Sequence, residues 1–282
     1  MNKLSVIVPI YKRESITKLC LERLLKQSKK LKFDVIVAGS EGNKSKQIAK
    51  GLKYIETENK PLGKKLNSLL KECTNYDGII VMGSDDFMSD SIIKMYQQID
   101  TSKEVYYSFN DIYIYSNKYK IIRSDFDYTR AGNGIGVARL YTKPTLKKMN
   151  YEIWSNTRLK GLDGNADKRL KAKGINEIQI DLDTHFLIDI KIESNISAHE
   201  MIFSGHKEHD LNVVQKLGKI GEKILHLKAK TAERLNLHEI DIPKLKAKVI
   251  KEFNGNRKGI IIELKKDHYN RLLKSGYISS VI

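Results

Sequence analysis

Short apolar runs and amphipathic stretches alternate through residues 1–100. Leu4–Ile10 is apolar almost throughout, the pattern of a strand covered on both faces. Ile16–Gln27 follows with Leu19, Leu21, Leu24 and Leu25 near one face, which predicts a helix. Phe33–Ala38 is a second strand and ends in the turn Gly39–Gly42. Lys44–Leu52 reads as helix, Lys53–Thr57 as a third strand and Lys64–Cys73 as another helix. Gly78–Met82 is a further apolar strand, running into Gly83-Ser84-Asp85-Asp86. Strands and helices alternating at this spacing form βαβ units around a mostly parallel sheet. Ligands of such sheets sit at the carboxyl ends of the strands, which here are Tyr11–Arg13, Gly39–Gly42 and Ser84–Asp86.

The pattern then changes. Val105–Phe109, Ile112–Tyr115 and Tyr119–Arg123 are rich in Tyr and Ile and read as antiparallel strands. Lys143–Asn150 and a stretch within Gly161–Gly174 read as helices, and Ile175–Asp181 and Phe186–Ile192 as strands. Polar residues cluster at Ser204–His209 and mark a boundary. Beyond it Leu211, Val214, Leu217, Ile220, Ile224 and Leu227 recur at helical spacing. This stripe is expected to pack on the preceding domain or on a second copy of the chain. After Pro243 the pattern predicts a helix to about Phe253, a strand at Gly259–Leu264 and a helix to about Lys274.

Composition narrows the class. The chain has 282 residues, 40% hydrophobic and 30% charged, which is ordinary for a soluble globular protein. Its apolar runs are too short to span a bilayer, and strand pattern from Leu4 leaves no room for a secretory signal. Two cysteines, Cys20 and Cys73, suit buried free thiols, so a cytoplasmic protein is expected. The net charge is +17, carried by lysines spread along the chain. Such an excess reads either as a solvated surface or as a face for a polyanion.

Asp85 and Asp86 at a strand's carboxyl end can hold a hard divalent cation, which in turn binds phosphate oxygens. A turn leading into a helix cap is the alternative. Leu4-Ser5-Val6-Ile7-Val8-Pro9-Ile10-Tyr11-Lys12-Arg13 resembles the opening strand of family 2 glycosyltransferases. Asn59 and Asn67 have the spacing of that family's asparagines around its third strand and next helix. The aspartate motif at Gly78–Asp86 follows in the family's order, and the likeness covers about residues 3–200.

The resemblance implies the glycosyltransferase-A fold, a Rossmann-like, mostly parallel α/β sheet, here with a helical C-terminal extension. Residues 1–204 would be the catalytic domain, with a nucleotide-binding half at 1–100 and an acceptor half at 101–204; residues 205–282 would be the extension. Pro9, Tyr11 and Arg13 would line the base and ribose of a nucleotide-sugar donor. Ser40 and Glu41 stand where the family usually has a base-reading Asp, and Lys64 and Asn67 would lie beside the diphosphate or sugar. Asp85 and Asp86 would hold Mn²⁺ or Mg²⁺, with His185 or His199 as a further ligand. Asp163, in Gly161-Leu162-Asp163 before a helix, would be the base of an inverting sugar transfer, a helix cap being its other reading. Trp154 could stack on an acceptor ring or belong to the core.

The chain departs from the family at Gly83, the first acidic position of the metal motif, and at Leu162, the first acid of the catalytic pair. The acceptor would be a glycan or modified DNA, and the C-terminal helices could support a homo-oligomer. Two alternatives share these features: a non-catalytic, degenerate transferase that binds nucleic acid or protein, and a nucleotidyltransferase. The latter usually carries a glycine-rich loop after the first strand, and Tyr11-Lys-Arg-Glu-Ser lacks the glycines.

Overall fold

The structure is a computed structural model; it describes residues 1–116, 121–125, 135–158, 161–182, 185–191, 208–209, 212–235, 244–249, 261–265 and 278–280. The chain begins β1 (Leu4–Pro9), α1 (Glu14–Leu31), β2 (Asp34–Gly39), α2 (Asn43–Ile48), β3 (Lys53–Glu56), α3 (Leu62–Lys71) and β4 (Gly78–Val81). Then come β5 (Asp86–Met88), α4 (Asp90–Tyr96), β6 (Val105–Phe109), β7 (Asp111–Ser116), β8 (Ile121–Asp125), β9 (Arg139–Thr142) and α5 (Lys143–Lys148). The next elements are α6 (Leu162–Lys171), β10 (Asn176–Ile180), β11 (Leu187–Lys191), β12 (Glu208–His209), α7 (Asn212–Gln215) and α8 (Lys219–Leu235). The last are β13 (Lys244–Val249), β14 (Ile261–Lys265) and β15 (Ile278–Ser280).

The main sheet has the order β10-β6-β9-β4-β1-β2-β3. Every pairing in it is parallel except the two made by β9. Alternation along β1 and β2 explains the two cores. Val6, Val8, Val35 and Val37 face α1, where Ile16, Leu19, Cys20 and Leu24 cover them. Ile7 and Ile36 point the other way, onto Leu66, Leu69 and Leu70 of α3.

A second sheet, β12-β8-β7-β11-β5, stands beside the first. Here the structure departs from expectation. Val105–Phe109 does not form an antiparallel pair with the strand after it: β6 lies between β9 and β10 in the main sheet, and the chain crosses to the second sheet at Asn110. Local pattern shows that both segments are strands but carries no information about partners. The antiparallel pairing of β7 with β8 is as expected.

At the C-terminal end, Val214, Leu217, Ile220 and Ile224 are buried in the same core as α1, and Lys223 of α8 pairs with Glu22 of α1 at 3.3 Å. This part of the stripe is therefore covered by the chain itself; Leu211 and the helix expected before Lys274 lie outside the described residues. Of the helix expected after Pro243, residues 250–253 lie outside the described ones. Residues 244–249 form a strand instead, β13, which pairs antiparallel with β14 and β15. Their alternation of lysine with Leu, Ala and Val is a period of two, the strand period. Among the described residues no helix is long and apolar enough to cross a membrane.

Candidate active site

Three strand ends converge at the carboxyl edge of the main sheet. Leaving β4, the chain turns sharply: the Gly83 N–H donates to an Asp86 carboxylate oxygen at 2.6 Å, and the Asp86 N–H to the Gly83 carbonyl at 3.4 Å. A Cβ at Gly83 would lie 2.5 Å from Asp86 Oδ2 and 3.1 Å from Asp85 Oδ1. A side chain at the motif's first acidic position would thus push the Asp86 carboxylate out of its present place and crowd that of Asp85.

The third acid comes from elsewhere in the chain. β11 pairs antiparallel with β5 so that Asp189 sits opposite Asp86. The Ile190 N–H also donates to the Asp85 carbonyl at 2.9 Å. One carboxylate oxygen each from Asp85, Asp86 and Asp189 lies within 4.8 Å of the others. Three buried carboxylates this close repel one another unless cations or donors intervene. Arg13 supplies one such cation. Its guanidinium pairs with Asp85 and donates to Ser84 Oγ at 3.2 Å. Arg13 and Lys12 both have left-handed backbone, φ 49° and 54°, which turns the chain out of β1 toward the acids.

Hard carboxylate oxygens from the turn at Asp85 and from β5 and β11 suit Mg²⁺ or Mn²⁺. His185 is not in this group. It lies four residues from Asp189 along the chain, its Nδ1 is 2.9 Å from Ser91 Oγ, and its ring meets Phe109 edge-on. Asp189 stands where a histidine was expected. Nothing near it in sequence marks it out, since the strand register alone brings it to Asp86. His199 lies outside the described residues.

The other expected donor residues are scattered. Pro9 lines the cleft beside the acids, whereas Tyr11 is exposed under the Lys12 ammonium. Glu41 accepts from the Lys12 N–H at 2.8 Å and so ties the β1 and β2 loops together. Lys64 points into solvent and pairs with Glu58. Its neighbour Lys65 is the buried one, donating to the Ile10 carbonyl at 2.7 Å and to Ser40 Oγ at 2.5 Å. Burial pulls the Lys65 ammonium down to about 8, against the opposing pull of Glu56 and Glu41. The helical period accounts for the difference in burial: Lys65 falls one turn before Leu69, on the buried face of α3.

Asn67 is also buried. Its amide donates to the Trp154 carbonyl at 2.8 Å and accepts from the Trp154 N–H at 3.2 Å. Trp154 itself is buried edge-on against Tyr141 and forms one wall of the cleft. Beneath the Asp85–Asp86 turn, the Cys20 thiol lies 3.3 Å from the Asp86 carbonyl. Burial first, and the two aspartates second, push that thiol well above its ordinary range.

Asp163 is the second residue of α6, whose cap is Gly161 at φ 64°. It is therefore within the first turn and is not the cap. Its carboxylate rests against Gly136, where an added Cβ would lie 2.3–2.5 Å from the carboxyl atoms. Asp163, Gly136, Pro9, Trp154, Asp86 and Asp189 share one cleft of about 290 Å³.

The mostly parallel α/β sheet thus brings Asp86, Asp163 and Asp189 to one cleft. The chain belongs to glycosyl transferase family 2, whose family model matches residues 5–157. Asp163 and Asp189 both lie beyond the matched range. No curated protein matches the sequence. Among solved structures, a mannosyltransferase from Pyrobaculum calidifontis in complex with GDP-mannose and Mn²⁺ is similar at 12% identity and a TM-score of 0.48, over 84% of this chain and 75% of that one. S. aureus TarS 1-349 in complex with UDP-GlcNAc is similar at 18% identity and a TM-score of 0.49, over 83% and 72%. Glucosyl-3-phosphoglycerate synthase from Mycobacterium tuberculosis, in complex with Mn²⁺, UDP and glucosyl-3-phosphoglycerate, is similar at 10% identity and a TM-score of 0.44, over 94% and 88%.

Proposed function

We propose that the protein transfers a sugar from a nucleotide-sugar to an acceptor hydroxyl with inversion at the anomeric carbon. The observation that carries this reading is the single cleft onto which Asp86 and Asp189 open from one side and Asp163 from another. In the proposed reaction Asp163 removes the acceptor proton while the acceptor oxygen bonds to the anomeric carbon. The bond from that carbon to the diphosphate oxygen breaks, and the electron pair leaves with the nucleoside diphosphate. Attack and departure on opposite faces invert the centre in one displacement.

Asp85, Asp86 and Asp189 would hold the divalent cation, Mn²⁺ or Mg²⁺. Bound there, a cation supplies charge stabilisation to the departing diphosphate. Arg13, already against Asp85, adds a second positive charge beside these acids. Trp154 offers an apolar wall against which a sugar ring can rest. A glycan or a modified nucleic-acid base would present the hydroxyl.

The test is incubation with a panel of nucleotide-sugars and Mn²⁺, with mass spectrometry of the products. Release of nucleoside diphosphate and free sugar from one donor is expected, because water substitutes slowly for the acceptor. No turnover of any donor, together with no metal-dependent nucleotide binding by calorimetry, would overturn the reading.

A further inference from the structure

Arg139 is the largest fully buried side chain among the described residues, 1% exposed, and it begins β9 at the edge of the cleft. A buried guanidinium is costly unless its donors are met. It pairs with Glu177 at 4.0 Å and bonds to Tyr141, and two further bonds reach the segments that flank Asp163. Nε donates to the Ile135 carbonyl at 3.2 Å, immediately before Gly136. On the other side, one terminal nitrogen donates to Asp167 Oδ1 at 2.7 Å. Asp167 is one turn beyond Asp163 on the same helix, so the two share a face of α6. The guanidinium also lies over the Tyr106 ring at 5.3 Å, and Tyr106 donates to Asp167 at 3.3 Å.

The loop that faces Asp163 is held at three points. Besides the Arg139 bond, the Ile135 N–H donates to the Phe109 carbonyl at 2.8 Å, and Tyr96 donates to the Ala138 carbonyl at 2.9 Å. Gly136 therefore lies in a segment anchored on both sides of it. Since a Cβ at 136 would fall within 2.5 Å of the Asp163 carboxyl, the spacing between this loop and α6 sets where that carboxylate points. Arg139 is the side chain that bridges the two.

We propose that Arg139 is a positioning residue: by bridging the Ile135 carbonyl to Asp167 it clamps α6 against Gly136 and aims Asp163 into the cleft. This rests on Asp163 being the base. A planar fork is needed, because the two partners lie in different directions; a lysine could keep Asp167 but not both. Misplacement of a reacting group by about 1 Å costs about 10²-fold in rate.

The experiment is a double-mutant cycle on the purified full chain, with Mn²⁺ and the nucleotide-sugar of the panel above that is turned over. For each variant, kcat for nucleoside diphosphate release and calorimetric affinity for that nucleotide-sugar are measured. Arg139→Lys keeps the buried charge and should lower kcat about 10- to 100-fold with unchanged donor affinity. In the Asp163→Asn background the same change should cost less than about threefold, since the aim of a missing base no longer matters. Equal loss in both backgrounds, or full kcat in folded Arg139→Lys, overturns the clamp. Should Arg139→Lys not fold, Gly136→Ala tests the same spacing from the opposite side. It should lower kcat with unchanged donor affinity, and unaltered kcat there refutes the proposal. Normal transfer by Asp163→Asn alone would instead remove the base assignment, and the clamp with it.

Discussion

Lys65→Met is a perturbation whose size follows from the structure. The ammonium is 2% exposed, and burial lowers it from an ordinary 10.5 to about 8. Between those values the unfolded chain binds a proton there that the folded chain does not. Folding stability must therefore rise with pH across this window. With two such titrations, the Lys65 contribution becomes more favourable by about 2.5 kcal/mol between pH 7 and pH 10. Methionine of similar length has no proton to lose, so the variant should lack this rise. At pH 7 two effects oppose: the variant loses the bonds to Ile10 and Ser40 but no longer buries a charge. The slope with pH is hence the diagnostic quantity. Urea unfolding of both proteins at pH 7, 8, 9 and 10 would measure it, and tyrosines and cysteines titrating in both cancel in the difference. Wild type should gain on the variant by about 2.5 kcal/mol over the range. Parallel stability curves would show that Lys65 keeps an ordinary affinity for its proton and is not desolvated as described.

Other outcomes follow from the cleft. Asp85→Asn and Asp86→Asn should each abolish metal-dependent nucleotide binding in calorimetry while thermal midpoints stay close to wild type, since each removes an anion from a crowded acidic group. Asp163→Asn should lower transfer by about 10²-fold or more with donor affinity unchanged, measured as kcat against the calorimetric Kd. Asn67→Ala should cost about 1–3 kcal/mol in urea unfolding, because it strands the buried backbone N–H and carbonyl of Trp154. Gly83→Ala should weaken Mn²⁺-dependent nucleotide binding at least about tenfold, because its Cβ occupies the space of the Asp86 carboxylate.

Much of this protein is written locally. The runs at Leu4–Ile10, Phe33–Ala38 and Gly78–Met82 became β1, β2 and β4, because a strand covered on both faces needs apolar residues at every position. The helical stripe of α1 was equally legible, and so were the aspartates at 85, 86 and 163, since a strand end and a helix start are properties of short segments. Tertiary structure decided what depends on partners. Asp189 joins Asp85 and Asp86 only because β11 pairs with β5 in one register; a shift by one residue would turn it to the opposite face. Lys65, not Lys64, is buried because α3 docks that side on the sheet. Gly83 is explained by the two carboxylates crowding its Cα, and Arg139 by two segments that meet across the cleft. Hydrophobic period is set by a residue's own neighbours in the chain, whereas strand register and the spacing of catalytic groups are set by contacts between segments distant in sequence.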